Sequence, residues 1–458
     1  MVDLKYFRFS GLFRGGEWLM PAYVGVDDVG AIRYISSDPP QTSAAVETVQ
    51  GFALPGFQNA HSHAFQYAMT GDAEVHISRD DDFWSWREAM YRYALSVNPE
   101  QAEAIAAMLY AEMLRNGYTH VAEFHYLHHD KDGKPYSNLS EMGERMVSAA
   151  KTAGIKITLI PVFYQKGGFN MPPTERQRRF ISKTSDEFLK LLYANWRSCE
   201  YYANAHTGAS VHSLRAVDGE DIKRTVKQTA SNITPFHIHV AEQKKEVSDC
   251  LNFTGQRPMQ WLLANVPVDE NFHLVHSTHL DDTELKELAS SKANVVLCPS
   301  TEGNLGDGIF RMKEYGQMGG NWCIGTDSHI GLDPLEEFRM IDYRQRLVSN
   351  VRSTFFGDAA GYLLNFAQKR GRWAMGEGWF ENYFEVGRDF DAVVYNARSP
   401  RLSTAEKKNL SSVLLYHGNS SMAMGTIVNG RWVVKNQKHM AFESIRKQFV
   451  KAMKEINT

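Results

Sequence analysis

Cysteine is scarce in this chain: Cys199, Cys250, Cys298 and Cys323 are the only four in 458 residues. They stand far apart and form no Cys-x-x-Cys pair, so they describe no disulfide framework and fit a reducing compartment. Long apolar runs are also lacking. No stretch approaches the ~18–20 apolar residues that a membrane helix needs. The start, Met1-Val2-Asp3-Leu4-Lys5, leads into alternating residues and not into a signal-type apolar core. Excess charge of either sign is absent: Lys+Arg 50 against Asp+Glu 53 leaves a net charge of -3. That balance gives no electrostatic reason to expect nucleic acid or an anionic membrane as partner. The short basic cluster Arg176, Arg178 and Arg179 reads as a solvated helix face or loop. A soluble, cytoplasmic protein is the expectation.

What is present is ordinary globular composition, 43% hydrophobic and 22% charged, over a length that suits a large α/β barrel with a satellite domain. From Tyr6 to about Ser37 short alternating runs are broken by Gly15-Gly16, which reads as antiparallel hairpins. The same texture returns late, where Asn429-Gly430 separates two apolar runs, a strong two-residue hairpin signal. Between these ends, eight short apolar runs alternate with amphipathic segments, and the pattern predicts helices over 101–115, 140–153 and 218–230. Eight β units separated largely by helices predict an α/β fold, a (β/α)8 TIM barrel over 55–384. Residues 1–54 and 385–458 are expected to build a small β-sandwich domain from both termini. The Gly- and Pro-rich loop from Tyr164 to about Thr174 is either an active-site cover or a plain surface loop.

Barrel enzymes set their chemistry at the C-terminal ends of strands. The polar residues that end buried runs here are His61 and His63, His239, His276 and Asp327. In a strand, residues two apart share a face, so His61 and His63 can grip one ion. Neutral imidazoles with a carboxylate make a zinc shell with an open position for water. Asp327, ending Cys323-Ile324-Gly325-Thr326, is costly to bury unless paired or metal-bound. Read alone, it serves equally as a helix cap.

With these residues the sequence resembles the amidohydrolase superfamily, metal-dependent hydrolases built on a (β/α)8 barrel. The resemblance runs over nearly the whole chain and rests on Pro55-Gly56-Phe57-Gln58-Asn59-Ala60-His61-Ser62-His63, the His239 and His276 runs, and Gly325-Thr326-Asp327-Ser328. Four stretches narrow it to the members that deiminate formimino amino acids: His61-Ser62-His63-Ala64-Phe65-Gln66, Glu123-Phe124-His125-Tyr126-Leu127-His128, Val211-His212-Ser213-Leu214-Arg215-Ala216-Val217 and His237-Ile238-His239-Val240-Ala241-Glu242-Gln243. Tyr67 departs from that pattern, standing where a basic residue is expected. The resemblance implies metal binding by His61, His63, His239 and Asp327. It implies catalytic roles for Glu242, His276 and Asp327, and substrate binding by Gln66, Tyr126, His212 and Arg215. A homodimer is also compatible with it. The implied reaction is hydrolysis of N-formimino-L-glutamate to N-formyl-L-glutamate and ammonia, a step of histidine degradation.

The chemistry of the residues agrees with that implication. Hydrolysis of an amidine needs a base for the water proton and an acid for the departing nitrogen, and Asp327 and Glu242 are placed for these tasks. Glu242 alone is also readable as the first acidic residue of the next helix. Arg215 points to a carboxylate, which a guanidinium fork grips bidentately, so a small dicarboxylate amidine is the expected substrate. Without the resemblance Arg215 fits a plain salt bridge and Tyr126 fits core packing. The fourth predicted strand, Ala209-Ser210-Val211-His212, carries no lysine to be carboxylated, so one divalent ion, zinc by preference, is expected and not two. Two other functions stay open at this point: a guanine, pterin or triazine aminohydrolase on the same fold, and a barrel kept only as a binding scaffold.

Overall fold

The computed structural model describes residues 3–74, 83–230, 234–378 and 380–457. Its centre is a ring of eight parallel strands: β1 (Phe57–Ser62), β2 (Tyr118–His125), β3 (Lys156–Phe163), β4 (Ala209–Ser213), β5 (Phe236–Val240), β6 (Phe272–His276), β7 (Asn294–Leu297) and β8 (Asn321–Ile324). Neighbours in sequence are neighbours in the sheet, in the order β8-β7-β6-β5-β4-β3-β2-β1. Every residue of these strands is buried. Helices cover one face and barrel packing the other, so even polar residues such as Asn59, His237 and His273 are buried.

Ring closure places the site. Past the end of β8, the Asp327 and Thr326 N–H groups donate to the His61 carbonyl at 2.9 and 3.1 Å, and His63 N–H donates to the Asp327 carbonyl at 3.2 Å. Asn59 locks the same seam, donating to Thr326 Oγ1 at 2.7 Å and accepting from Thr326 N–H at 3.0 Å. The two chains approach so closely that a Cβ on Gly325 would lie 2.7 Å from His61 Cβ, which only glycine avoids.

The helices follow their sequence signals. Pro99–Arg115 starts at Asn98, whose side chain accepts from Gln101 N–H while Gln101 reaches back, a capping box with proline in the first turn. Its alanine-rich face is buried against the barrel and against the C-terminal helix Phe442–Ile456. The expected helices over 140–153 and 218–230 are present as Glu141–Ala153 and Gly219–Thr229.

The terminal segments build a separate nine-stranded sheet, mostly antiparallel. Val46–Pro55 is its hinge strand, parallel to Lys5–Arg14 on one side and antiparallel to Ala392–Asn396 on the other. It thereby stitches the two ends of the chain together, and after Gly56 the backbone continues directly into β1. Hydrogen bonding runs unbroken across this sheet, so the sandwich-like unit is one continuous sheet. Phe7, Phe9, Val24, Phe390 and Val394 share its apolar core. Asn429-Gly430 makes the expected tight hairpin, both residues at positive φ, between Ala423–Val428 and Arg431–Lys435.

One basic residue is not where the sequence suggested. Arg179 is fully buried, and its guanidinium donates to the carbonyls of Ala94, Val97 and His129 at 2.6–2.8 Å. Guanidinium presents five donors in a fixed fork, so it can satisfy three main-chain carbonyls at once. Charge alone does not distinguish that use from solvation.

Candidate active site

All ten residues singled out from the sequence converge at the C-terminal mouth of the barrel, each below one-tenth exposed. His61 Nε2 lies 3.1 Å from His63 Nε2 and 3.0 Å from His239 Nε2. Asp327 Oδ1 lies 3.2 Å from His63 Nε2 and 3.5 Å from His61 Nε2. Four ligands at 2.0–2.1 Å from a tetrahedral ion stand roughly 3.3 Å apart, so these separations match one coordination shell.

Proton bookkeeping supports that match. His63 Nδ1 faces the Phe124 carbonyl at 2.9 Å, and His239 Nδ1 faces the His212 carbonyl at 3.0 Å. A carbonyl only accepts, so each Nδ1 carries the hydrogen and each Nε2 presents a bare lone pair to the common point. Lone pairs aimed at one another are repulsive unless a cation lies between them. Burial, reinforced by the neighbouring His63, pushes His61 down to about 3, so it too is a neutral ligand. Burial lowers His239 well below the usual range in the same way. The donor set therefore fits a divalent metal.

The open side of this cluster holds the remaining groups. Asp327 turns its other oxygen, Oδ2, toward His276 Nε2 at 3.8 Å, and Glu242 Oε1 is 3.8 Å from the same nitrogen. Burial opposes a charge on His276, but the carboxylates of Glu242, Glu302 and Asp327 outweigh it and raise the imidazole to about 10. Gln66 Nε2 donates to the Tyr126 hydroxyl at 3.0 Å, which leaves the phenol proton for another acceptor. Burial raises that phenol well above its usual range, so it stays a neutral donor. Ala241, His276, Ser277 and Asp327 all take positive φ at the ends of β5, β6 and β8. Such backbone costs on the order of 1–3 kcal/mol per residue and persists where the surrounding contacts over-determine it.

The alternative readings of Asp327 and Glu242 fall away, whereas Arg215 does pair with an acid, Glu242, and Tyr126 does pack among Phe65 and Phe180. Asp327 caps no helix; the next one, Pro334–Ser349, is capped by Asp333. Glu242 precedes the helix Lys244–Thr254 and turns into the pocket. Tyr67 packs tilted against Phe449 of the C-terminal helix, away from the cluster. His128 and His129 donate to the carbonyls of Val162 and Ile181, structural duties that need no ligand.

Three contributors were given no role from the sequence. Glu123 accepts from Ser62 Oγ at 2.7 Å and from Ala64 N–H at 2.7 Å, the residues on either side of His63. Glu302 faces His276 Nδ1 at 3.5 Å and is itself held by Arg344 at 3.0 Å. Arg87, on the helix Phe83–Ser96, walls the pocket beside Arg215 and donates to the Tyr164 hydroxyl at 2.7 Å. The only sequence signal for Arg87 was indirect: a dicarboxylate calls for a second cation. The same two arginines wall an outer cavity of about 920 Å³, whose other side is the loop residues Gly167, Gly168, Phe169 and Met171.

Parallel barrel, strand-end histidines and strand-eight aspartate define a class, and the matching family model agrees: residues 52–375 match the amidohydrolase family, to which this chain belongs. Within it, the chain is 43% identical over 423 residues to formimidoylglutamate deiminase of Pseudomonas aeruginosa, covering 91% of this chain and 92% of that protein. A crystal structure of an amidohydrolase from Brucella melitensis superposes with a TM-score of 0.92 at 37% identity, over 99% of this chain and 100% of that one. An adenosine deaminase from Xanthomonas campestris with bound zinc shares the fold, TM-score 0.81 at 21% identity, over 99% and 98% of the two chains. Among the described residues no helix is long and apolar enough to cross a membrane.

Proposed function

We infer that this chain hydrolyses N-formimino-L-glutamate to N-formyl-L-glutamate and ammonia, the reaction of its Pseudomonas relative and a step of histidine degradation. One structural observation favours this substrate over a purine, pterin or triazine: two guanidinium groups, Arg215 and Arg87, wall the same pocket as the histidine cluster. An uncharged heterocycle has no use for two cations in its pocket, whereas a dicarboxylate pairs with both. In this reading His61, His63, His239 and Asp327 hold one divalent ion, and three imidazoles with a carboxylate suit zinc.

Bound there, such an ion acidifies water and supplies hydroxide at neutral pH. The chain's own groups do the rest. Asp327 has Oδ1 turned to the imidazoles and Oδ2 toward the open pocket, so Oδ2 takes the water proton as oxygen bonds to the formimino carbon. His276, held by Glu302 behind it and facing both carboxylates, steadies the charge that develops on that carbon's substituents. Asp327 passes that proton to the formimino nitrogen, and Glu242 takes the remaining hydroxyl proton as the formyl C=O forms and hands it to the same nitrogen, so the C–N bond breaks and ammonia leaves. Arg215 and Arg87 take the carboxylates, with His212, Tyr126 and Gln66 fixing the end nearer the cluster. The direct test incubates zinc-replete protein with N-formimino-L-glutamate, N-formimino-L-aspartate and guanine in parallel and measures ammonia. Fastest release from the glutamate derivative is expected; release from guanine alone refutes the assignment.

A further inference from the structure

The opposite end of the barrel carries a second cluster of metal-ligating type that the deimination chemistry does not use. His120, near the start of β2, His206, in the short strand Ala205–Thr207, and Glu377, in the connection after the helix Ala359–Ala374, each bring one ligand atom within 4.8 Å of the others. We propose that His120, His206 and Glu377 form a divalent-cation site on the barrel floor that ties these three segments together.

The argument starts from one hydroxyl proton. Thr158 Oγ1 lies 3.0 Å from the Met375 carbonyl and 2.9 Å from His120 Nε2. The carbonyl can only accept, so it takes the threonine proton, and His120 Nε2 must then be the donor to Thr158. That leaves His120 Nδ1 without a hydrogen, 2.9 Å from Glu377 Oε1. Two acceptors at this distance are held together by a cation between or beside them.

The surroundings leave room for a dication. The Lys156 ammonium, buried nearby, is already paired with Asp389 at 2.6 Å and Asp391 at 2.7 Å, and Arg372 with the far oxygen of Glu377 at 3.1 Å. Counting Lys156 and Arg372 against Asp389, Asp391 and Glu377 leaves one net negative charge. His206 lines a cavity of about 580 Å³ with Glu200, Thr207 and Gly376, which gives an ion an entry path and space for water ligands. Two imidazole nitrogens, one carboxylate oxygen and water describe a borderline ion of the zinc type in preference to calcium or magnesium.

The test counts ions. Full-length protein, freed of metal and then dialysed against Zn2+, is measured by elemental analysis, together with His206→Ala, His206→Asn and His63→Ala chains. We expect two ions per wild-type chain and one in each His206 variant, with ammonia release unchanged in those variants. In the His63→Ala chain, Zn2+ should still raise the thermal midpoint, and adding His206→Ala should abolish that shift. Saturation of the wild type at one ion, or two ions retained by both His206 variants, overturns the proposal. Because the floor site is counted without any substrate, its failure leaves the deiminase assignment standing, and the reverse holds equally.

Discussion

Arg215 Nη2 lies 3.7 Å from Glu242 Oε2, so the group suited to a substrate carboxylate and the group suited to the leaving nitrogen form one buried pair. In the proposed reaction an entering carboxylate would compete with Glu242 for the guanidinium and free the acid to turn toward the reacting carbon. Truncating Arg215 removes both the carboxylate grip and this partner. Loss of one member of a buried charge pair costs about 2–5 kcal/mol, roughly 30- to 4,000-fold in kcat/KM. Arg215→Ala should show that loss with N-formimino-L-glutamate, and Arg215→Lys should recover only part of it, because an ammonium lacks the bidentate fork. Steady-state kinetics on both variants decide the matter; a wild-type kcat/KM in Arg215→Ala would remove the dicarboxylate reading.

Glu242→Gln keeps the shape of the side chain and abolishes its proton. A general acid or base contributes typically about 10²–10⁴-fold, so kcat should drop by that order. Zinc content should not change, because Glu242 faces His276 and Arg215 and is no member of the ligand cluster. Elemental analysis beside the kinetics separates the two roles: a variant that is inactive because it has lost its zinc would make Glu242 a ligand and not an acid.

Strands and strand-end histidines were legible because they obey short-range rules. A buried parallel strand is a short apolar run, and a polar residue ending such a run has few structural excuses, so His61, His63, His239 and Asp327 stood out. Glu123, Glu302 and Arg87 did not. Glu123 gains its meaning from Ser62, at the end of the neighbouring strand, and from Ala64 just beyond it, and Glu302 gains its from His276 across a strand-to-helix turn. Arg87 looks like any arginine of a surface helix until the fold turns it inward. Arg179 misled for the same reason, since its carbonyl partners come from segments distant in sequence. Local pattern marks residues that are odd where they stand, and it is blind to those that become special only through distant neighbours.

Glu123 is the residue whose loss should separate metal affinity from chemistry. Its carboxylate accepts from donors on both sides of His63 and from the Tyr110 hydroxyl at 3.0 Å, while the adjoining Phe124 carbonyl fixes the His63 tautomer. Removing a group that orients a ligand typically weakens metal binding about 10–100-fold. Glu123→Ala should therefore lose zinc from the active site to a chelator at correspondingly lower concentration, followed as loss of ammonia release. At saturating zinc its KM should stay near wild type, because Glu123 does not reach the substrate pocket. Unchanged chelator sensitivity would show that the His-x-His segment holds its geometry without the clamp.

The stability of the fold should fall in mild acid, and His237 offers a clean measure of it. Its Nε2 faces the Ala374 carbonyl at 3.0 Å, and burial lowers the ring to about 4 against an ordinary value of 6.5. Above pH 6.5 both folded and unfolded chains keep this imidazole neutral, so its contribution to stability is intact. Between pH 6.5 and about 4 the unfolded chain binds a proton that the folded one refuses, and stability declines as pH drops. At ~1.4 kcal/mol per pH unit the loss reaches about 3 kcal/mol. Metal-free protein is the right sample, since zinc release would otherwise add its own slope. Urea unfolding of wild type and His237→Asn across this window should give curves that converge as pH falls, the variant being less stable at pH 7 but losing less on acidification. Parallel curves would mean that His237 takes up its proton equally in the folded and unfolded chains, so that burial does not depress it.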